Sequence, residues 1–360
     1  MLRSTIFLAC LACFSLAVDA AAPLAGPVEA VTFDAPTHSF RNVTGTLGSA
    51  MLDSAVLAQV DFGAVAPHLD YGIAVQGGQL SMVSGFASGQ LSTAVVPGTF
   101  STPDGAVWSG DGSTAVMYSL KEGWLQRISG LPASPVVESA VSASGLSAVA
   151  ATMNGQRVFA ALAGSGVYEL NSQSLSPVLP LANAVALAVA DARGTLYVLE
   201  TSSGQVYEWS LADSTSTSWS IAEVYTPVSL LAAADASQRW QIYVAGGGAT
   251  SMLATYDADA HTLSSAAALE FQPTVMRILG SASFVVRDRQ VEGEPLWSFS
   301  ATETATAACP TGLRTCRVKR RARRGGDGGG EGDDLPAPSA KAATTVYFIP
   351  ATPLTAGGVQ

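Results

Sequence analysis

Between Ala184 and Trp209 the chain reads AVALAVADARGTLYVLETSSGQVYEW, three apolar runs separated by two turns that contain glycine. Each run is short and rich in Val, Leu, Tyr and Trp, which is typical of strands and too short for an ordinary helix. The pattern therefore predicts three consecutive antiparallel strands. Because such a sheet cannot bury both of its faces alone, a fold built from this unit needs further copies of it.

Similar units recur along the chain at intervals of about 39 to 45 residues. A four-stranded propeller blade takes about 40 to 50 residues, and the outer strands have candidates in 135–141, 218–224 and 262–269. Six copies can be counted, so the sequence predicts an all-β fold, a single β-propeller of six four-stranded blades. Seven blades are the alternative, since residues 23–57 could hold another. The paired turns lie near 68–70 and 77–78, 111–112 and 122–123, 154–155 and 165–166, 193–194 and 203–204, 238–239 and 249–250, and 281–282 and 292–293.

The segment Ala186–Glu200, ALAVADARGTLYVLE, resembles the NHL-type propeller repeat. That repeat has an apolar strand, an acidic turn and then Gly-x-Leu-Tyr-Val-Ala-Asp; here Leu199-Glu200 stands in place of Ala-Asp. The copies at 147–162 and 229–246 are similar to the YVTN-type, lactonase-like repeats. The resemblance covers about 58–300 and implies a propeller. It leaves the function open, because such propellers serve as scaffolds, receptors and enzymes.

The first 20 residues carry one arginine, then the apolar run Ile6–Val18, then small residues at Val18-Asp19-Ala20. This order predicts a secretory signal peptide, and hence a secreted or periplasmic protein without a transmembrane span in its mature chain. A transmembrane anchor would need about 20 apolar residues, more than this run supplies. A lipoprotein signal at Cys13 is a weaker alternative, because the apolar run continues beyond that cysteine.

The remaining chain divides into four parts by composition. Residues 21–57 form an N-terminal segment with a ring-closing strand, 58–303 the blades, 304–345 an insertion, and 346–360 a C-terminal strand and tail. Strands are expected at 27–34 and 38–43, joined at 35–37. Propellers commonly close with a strand from one terminus, so the sequence predicts that 28–33 lies beside 346–350. The alternative is that 23–57 is a loose arm.

The insertion contains a basic block, polyglycine, an acidic block and a Pro/Ala tail, a composition that predicts disorder at the outer edge of the sixth blade. Removing the signal leaves two cysteines, which are either free or closed into a small disulfide loop in an oxidising compartment. The basic block is a candidate for electrostatic contact with an anionic polymer, a lipid or its own ring, or else it is solvated without a partner. The residues concerned are Cys309 and Cys316 for the disulfide, and Arg317, Lys319, Arg320, Arg321, Arg323 and Arg324 for the contact.

Charge is unevenly distributed between the insertion and the rest of the mature chain. From Cys309 to Ala343 eight basic residues face four acidic ones, a net charge of +4, while the rest has nine against 23, a net of −14. An acidic ring repels nucleic acid, so no nucleic-acid partner is expected.

No strong catalytic or metal-binding motif appears in the sequence, and no cofactor, metal or catalytic residue is predicted. Strand aromatics are expected to pack between blades, and the aspartates at 104, 111, 191 and 235 to bond local backbone N–H groups. The three histidines, at 38, 68 and 261, are expected at the surface or in hydrogen bonds.

Three functional hypotheses remain. The first, favoured by the apolar first strands, is a secreted non-catalytic module that binds a protein, peptide or glycan on a loop rim. The second is a lactonase-type or lyase-type enzyme with a metal at the channel mouth. The third is a structural component of the cell envelope. Whether the protein is an enzyme stays open at this point, with the balance against it.

Overall fold

The computed structural model describes residues 28–46, 48–67, 70–235, 237–280, 283–300 and 344–351. Seven antiparallel sheets occupy this part of the chain, with 3-10 turns at Ala35–Thr37 and Asp191–Arg193. Sheet 1 contains β1 (Val28–Asp34), β2 (Ser39–Thr44) and β3 (Met51–Ala58), and sheet 2 contains β4 (Phe62–Val65), β5 (Tyr71–Gln76), β6 (Gln79–Ser84) and β7 (Ser92–Val95). Sheet 3 contains β8 (Gly105–Trp108), β9 (Ala115–Ser119), β10 (Trp124–Ser129), β11 (Val136–Val137) and β12 (Val141–Ser142). Sheet 4 contains β13 (Leu146–Ala151), β14 (Val158–Leu162), β15 (Gly166–Leu170) and β16 (Leu175–Leu179). Sheet 5 contains β17 (Ala184–Ala190), β18 (Thr195–Glu200), β19 (Gln205–Ser210) and β20 (Ser216–Ser220). Sheet 6 contains β21 (Pro227–Ala234), β22 (Trp240–Gly246), β23 (Ser251–Asp257) and β24 (Thr262–Leu269). Sheet 7 contains β25 (Arg277–Ile278), β26 (Ser283–Arg287), β27 (Leu296–Ser300) and β28 (Thr345–Ile349).

Within each sheet the strands pair in chain order, so every sheet is a meander. The six predicted turn pairs correspond to sheets 2 to 7. In each of these sheets the first predicted turn lies between the first and second strands, and the second predicted turn lies between the second and third strands. Sheet 3 departs from the others because its outer edge consists of two short strands, β11 and β12, which both pair with β10.

The sheets pack face to face in a closed ring. Seven apolar clusters fill the seven spaces between successive sheets, and the last cluster joins sheet 7 back to sheet 1. Strand β18 shows how the sequence achieves this. Leu196 and Val198 pack towards sheet 4, whereas Tyr197 and Leu199 pack towards sheet 6. Because successive side chains point to opposite faces and both faces are buried, the strand is continuously apolar from Leu196 to Leu199. The fold is a single all-β propeller of seven blades.

The prediction of six blades was wrong, because residues 28–58 form a blade of their own. The predicted strands at 27–34 and 38–43 and their turn are confirmed as β1, β2 and the turn at Ala35–Thr37. The third strand, β3, passes directly into β4 of the next sheet. This sheet has three strands and its first turn contains proline rather than glycine, so it does not repeat the pattern of the others.

The prediction that 28–33 lies beside 346–350 was also wrong. Strand β1 pairs with β2 alone among the described strands, while β28 pairs with β27 and completes sheet 7. The chain then reaches sheet 1 by another route. The N–H of Leu52 in β3 donates to the carbonyl of Pro350 at 2.8 Å, and Ala351 forms a parallel bridge with Leu52. The C-terminal strand therefore helps to close the ring through β3 rather than β1.

A buried ionic cluster also joins sheets 7 and 1. The Oδ2 atom of Asp34 accepts from Arg41 at 3.3 Å, from Arg289 at 2.5 Å and from the Thr37 hydroxyl at 2.6 Å. The three charged side chains are at most 3% exposed. Nearby, Arg277 donates to the hydroxyl of Thr32 at 2.8 Å. One carboxylate thus compensates two buried guanidinium groups at this junction.

In the described ranges, the structure contains no helix with the length and apolar character needed to cross a membrane.

Candidate binding trench between the second and third sheets

The site residues singled out from the sequence lie outside the described residues. These are the two cysteines, Cys309 and Cys316, and the basic side chains between 317 and 324. The signal segment and His68 lie outside as well. In the chain, the predicted insertion at 304–345 lies between β27 and β28, which are the third and outer strands of sheet 7, and β28 begins at Thr345. The insertion as a separate unit stays a prediction.

All four turn aspartates bond backbone N–H groups, but only Asp111 and Asp235 bond local ones as expected. Asp111 accepts from Ser113 at 2.9 Å and Asp235 from Ser237 at 2.8 Å, within their own turns. Asp104 accepts from Leu120 and Lys121 across its sheet, and Asp191 accepts from Met153 of the neighbouring sheet at 2.6 Å. Burial raises the pKa of Asp191, and the charge of Asp111 adds to this effect. Among the described residues, no group of three or more His, Cys, Asp or Glu could hold a metal.

Glu200 has the same role at the turn between β18 and β19. Its carboxylate accepts from the N–H of Ser203 at 2.8 Å and from the hydroxyls of Ser202 and Ser203. Burial alone would raise the pKa of Glu200, but the hydrogen bonds from Ser202 and Ser203 outweigh it and hold the pKa at about 2. The carboxyl therefore stays ionised over a wide acid range.

This carboxyl should contribute to acid sensitivity. Because the pKa of Glu200 is lower in the folded chain than in the unfolded one, its stabilisation is present above about pH 4.5 and is lost as the pH falls towards 2. We expect E200Q to be less stable than wild type at pH 6 and to approach it near pH 2.5, as measured by urea unfolding. Replacing both Ser202 and Ser203 by alanine should shift the pH range in which this stabilisation is lost to higher pH. A stability difference that stays constant with pH would contradict this.

Most of the strand aromatics and the described histidines behave as expected. Tyr197, Tyr243 and Tyr256 are at most 1% exposed and lie in the clusters between sheets. His261 stacks on Trp219 and lies 3.1 Å from Glu208. His38 contacts the carbonyl of Val60 through its ring nitrogen. These groups are used in packing and in linking neighbouring sheets, and they do not converge on one site.

A cavity of about 680 Å³ lies between sheets 2 and 3, beside their outer strands. Its walls are mostly small or aliphatic side chains, with a single charged residue, Asp70. The lips are the outer strand of sheet 2, with Ala94, on one side and residues 132–135, with Ala133, on the other. Val95 and Val136 are each 57% exposed, but their pairing with Ser81 and Ser129 places their side chains on the opposite faces of the two sheets. The lining residues from sheet 2 are Asp70, Tyr71, Met82, Ser84, Ser92, Ala94, Val95 and Pro97, and those from sheet 3 are Pro132, Ala133, Ser134, Pro135 and Val136.

A second, more polar cavity of about 410 Å³ continues the first. Pro97 and Val136 line the first cavity, and Thr99 and Val137 line the second, so the two follow the same pair of chain segments. We call the combined feature the trench. Its floor includes Gln126, whose amide nitrogen donates to the carbonyls of Thr99 at 2.9 Å and Glu138 at 2.7 Å and so ties the two walls together.

The trench is a consequence of how the sheets pack. Towards the ring centre the space between sheets 2 and 3 is filled by an apolar cluster that includes Tyr71 and Met117. The sheets of a propeller radiate, so the space widens outwards, and here it meets small side chains such as Ser84, Ala94 and Ala133. Tyr71 marks the boundary, since its hydroxyl donates to the carbonyl of Gly112 at 2.9 Å. Its pKa is raised by burial and by the charge of Asp111.

Sequence reasoning missed this trench and favoured a loop rim instead. In the segment LPASPVV (131–137), the sequence predicts only the start of an outer strand at 135–141 and assigns no role to 131–134. Pro132 and Pro135 line the cavity. The N–H of Glu138 still donates to the carbonyl of Arg127 in β10, but 139–140 lie between the two short strands, at the point where the polar cavity opens. The sequence signal that could have indicated the trench is the combination of proline and small residues in an outer strand.

No protein-family model matches the sequence, and no curated protein matches it. Among solved structures, a chain described as dihydro-heme d1 dehydrogenase NirN in complex with DHE is similar at 14% identity and a TM-score of 0.49, covering 77% of this chain and 62% of that one. The Cps50 (Swd1) β-propeller domain from Myceliophteria thermophila is similar at 11% identity and a TM-score of 0.46, covering 67% of this chain and 86% of that one. The present chain thus spans less than two thirds of the NirN chain. At these identities the likeness concerns the fold alone, and the NHL-type and YVTN-type resemblance stays a prediction.

Proposed function

We propose that the mature chain is an exported, non-catalytic binding module that holds a segment of another protein in the trench between sheets 2 and 3. The observation that supports this most is the trench itself, a solvent-facing, mostly apolar cavity of about 680 Å³ whose lining includes Met82, Ala94 and Ala133. Apolar surface on the walls of an open cavity is unfavourable in water and becomes favourable when a partner covers it.

The shape of the trench suits a polypeptide better than a compact small molecule. The two cavities are lined one after the other by the same two chain segments, 92–101 and 132–140, so the feature follows the direction of the backbone. Strand β7 at one lip pairs with β6 only, and its other backbone edge is open among the described strands. It also carries none of the charged or proline residues that often block added strands, since its sequence is STAV. An extended segment could lie along this edge and place alternate side chains in the cavity.

Export is part of the proposal and has its motive in the first 20 residues, with their apolar run and small-residue cleavage site. Producing the full-length chain in a secreting host and sequencing the N-terminus of the released protein checks this point. A mature start near residue 21 supports it, and retention of Met1 contradicts it.

Binding can be tested with random peptides displayed on phage and selected on the purified mature protein. We expect enriched aliphatic sequences whose synthetic forms lose at least about tenfold in affinity when Ala94 or Ala133, which are exposed residues of the cavity lining, is replaced by glutamate, because a charge would then be buried against an apolar ligand. The matched control is Leu263→Glu, an exposed aliphatic position (40%) on the outer strand of sheet 6. No enrichment, or equal loss in all three variants, would contradict the proposal.

A further inference from the structure

The apolar part of the trench contains one charged side chain, and its position constrains what can bind there. Asp70 lies next to Tyr71 at the start of β5, and its Oδ1 atom accepts from the N–H of Ala87 at 2.5 Å. The residue is exposed and lines the cavity together with Met82 and Ala94. A carboxylate beside aliphatic walls favours a ligand that pairs a cation with apolar groups.

The protein does not supply that cation from its described part. All eight arginines of the described residues form ion pairs, and none of these pairs involves Asp70. The described residues contain nine basic and 22 acidic side chains, a net charge of −13. Charge complementarity therefore points to a positively charged partner.

The other charged group of the trench is already neutralised. Glu138 in the polar cavity forms an ion pair with Arg127, with 2.8 Å between Oε1 and Nε. A cation bound in the polar cavity would compete with this arginine, whereas one bound beside Asp70 would not. The two cavities therefore differ in the side chains that they favour.

We infer that the trench recognises an extended segment of a partner protein in which a lysine or arginine stands next to aliphatic residues, with the cation at Asp70. This rests on the proposed function and adds the chemistry of the partner to it. The aliphatic side chains fill the apolar cavity, and the backbone lies along the open edge of β7. Lysine and arginine suit the position because their long apolar stems can lie along the cavity wall while the charge reaches the carboxylate.

The test compares peptide selections on wild type and on D70K, using the same phage library. Wild type should enrich lysine or arginine beside aliphatic residues, and D70K should lose that preference. One enriched peptide and its Lys→Gln or Arg→Gln form are then measured against wild type and D70N. We expect Asp70→Asn to weaken the cationic peptide up to about fivefold, an effect that added salt reduces, and to leave the glutamine peptide unchanged. Asparagine keeps an oxygen that can accept from Ala87, and matching melting temperatures verify the fold.

Two results would overturn this inference without touching the proposed function. Peptides that depend on Ala94 and Ala133 but show no preference for a cation and no response at Asp70 would leave an apolar site with different specificity. Alternatively, a variant that lacks 314–324 could bind the peptide about tenfold more tightly than the full chain. The occupant would then be this chain's own arginine-rich segment and not a partner.

Discussion

Replacing Asp34 with asparagine is expected to lower the free energy of unfolding by about 3–5 kcal/mol, because it removes the charge of a buried carboxylate that pairs with two buried guanidinium groups. Arg41 and Arg289 both bond to Oδ2 of Asp34, and all three side chains are almost fully buried. Because the cluster joins sheet 7 to sheet 1, the loss of stability should weaken the contact that closes the ring. Urea unfolding followed by tryptophan fluorescence at pH 7 measures the change.

The matched control is another aspartate that pairs with an arginine, but at the surface. Asp259 lies 2.5 Å from Arg193, and its side chain is 74% exposed. Asp259→Asn should cost less than about 1 kcal/mol, because water screens the pair. If both variants unfold at the same urea concentration, burial of the Asp34 cluster does not contribute to closure in the way we describe.

Ile349→Ala is expected to cost about 2–5 kcal/mol, the range found when a large buried aliphatic side chain is truncated. Ile349 is fully buried on β28 and packs in the cluster that contains Leu52 of sheet 1 and Leu296 of sheet 7. A loss here therefore weakens both the outer strand of sheet 7 and its contact with sheet 1. Thermal and urea unfolding of the full-length mature chain report the effect.

The neighbouring residue provides the comparison on the same strand. Phe348 points the other way and is 61% exposed, with an edge-on contact to Trp297. Phe348→Ala should cost less than about 1 kcal/mol, as is usual for surface positions. The assignment of the two faces of β28 would be wrong if Phe348→Ala proved the more harmful of the two.

The sequence predicted the repeated part of the fold well, and the reason is local. Turns such as Arg193-Gly194 lie between apolar runs, and the structure places strands on both sides of each of them. Glycine at such a turn is needed because the backbone there is left-handed, with φ of +62° at Gly194. These signals depend only on neighbouring residues, so they can be read from a single sequence.

The first blade and the ring closure could not be predicted in the same way, because they depend on contacts between distant parts of the chain. Nothing near Asp34 in the sequence indicates that Arg289 compensates it, or that Leu52 bonds to Pro350. The trench was missed for a related reason. Its walls come from 70–97 and 132–136, and the small side chains on each wall are unremarkable until the two sheets stand opposite one another.

The separation of β27 and β28 by residues 301–344 sets the order in which the ring can be finished. Sheets 1 to 6 are complete in sequence by Leu269, but sheet 7 must wait for its outer strand until Ile349 has left the ribosome. Until then the apolar face formed by Val43, Leu52 and Val285 lacks its last cover. While the intervening segment is being translated, the nascent chain therefore exposes apolar surface between sheets 7 and 1. A folding chaperone would be expected to bind at this surface.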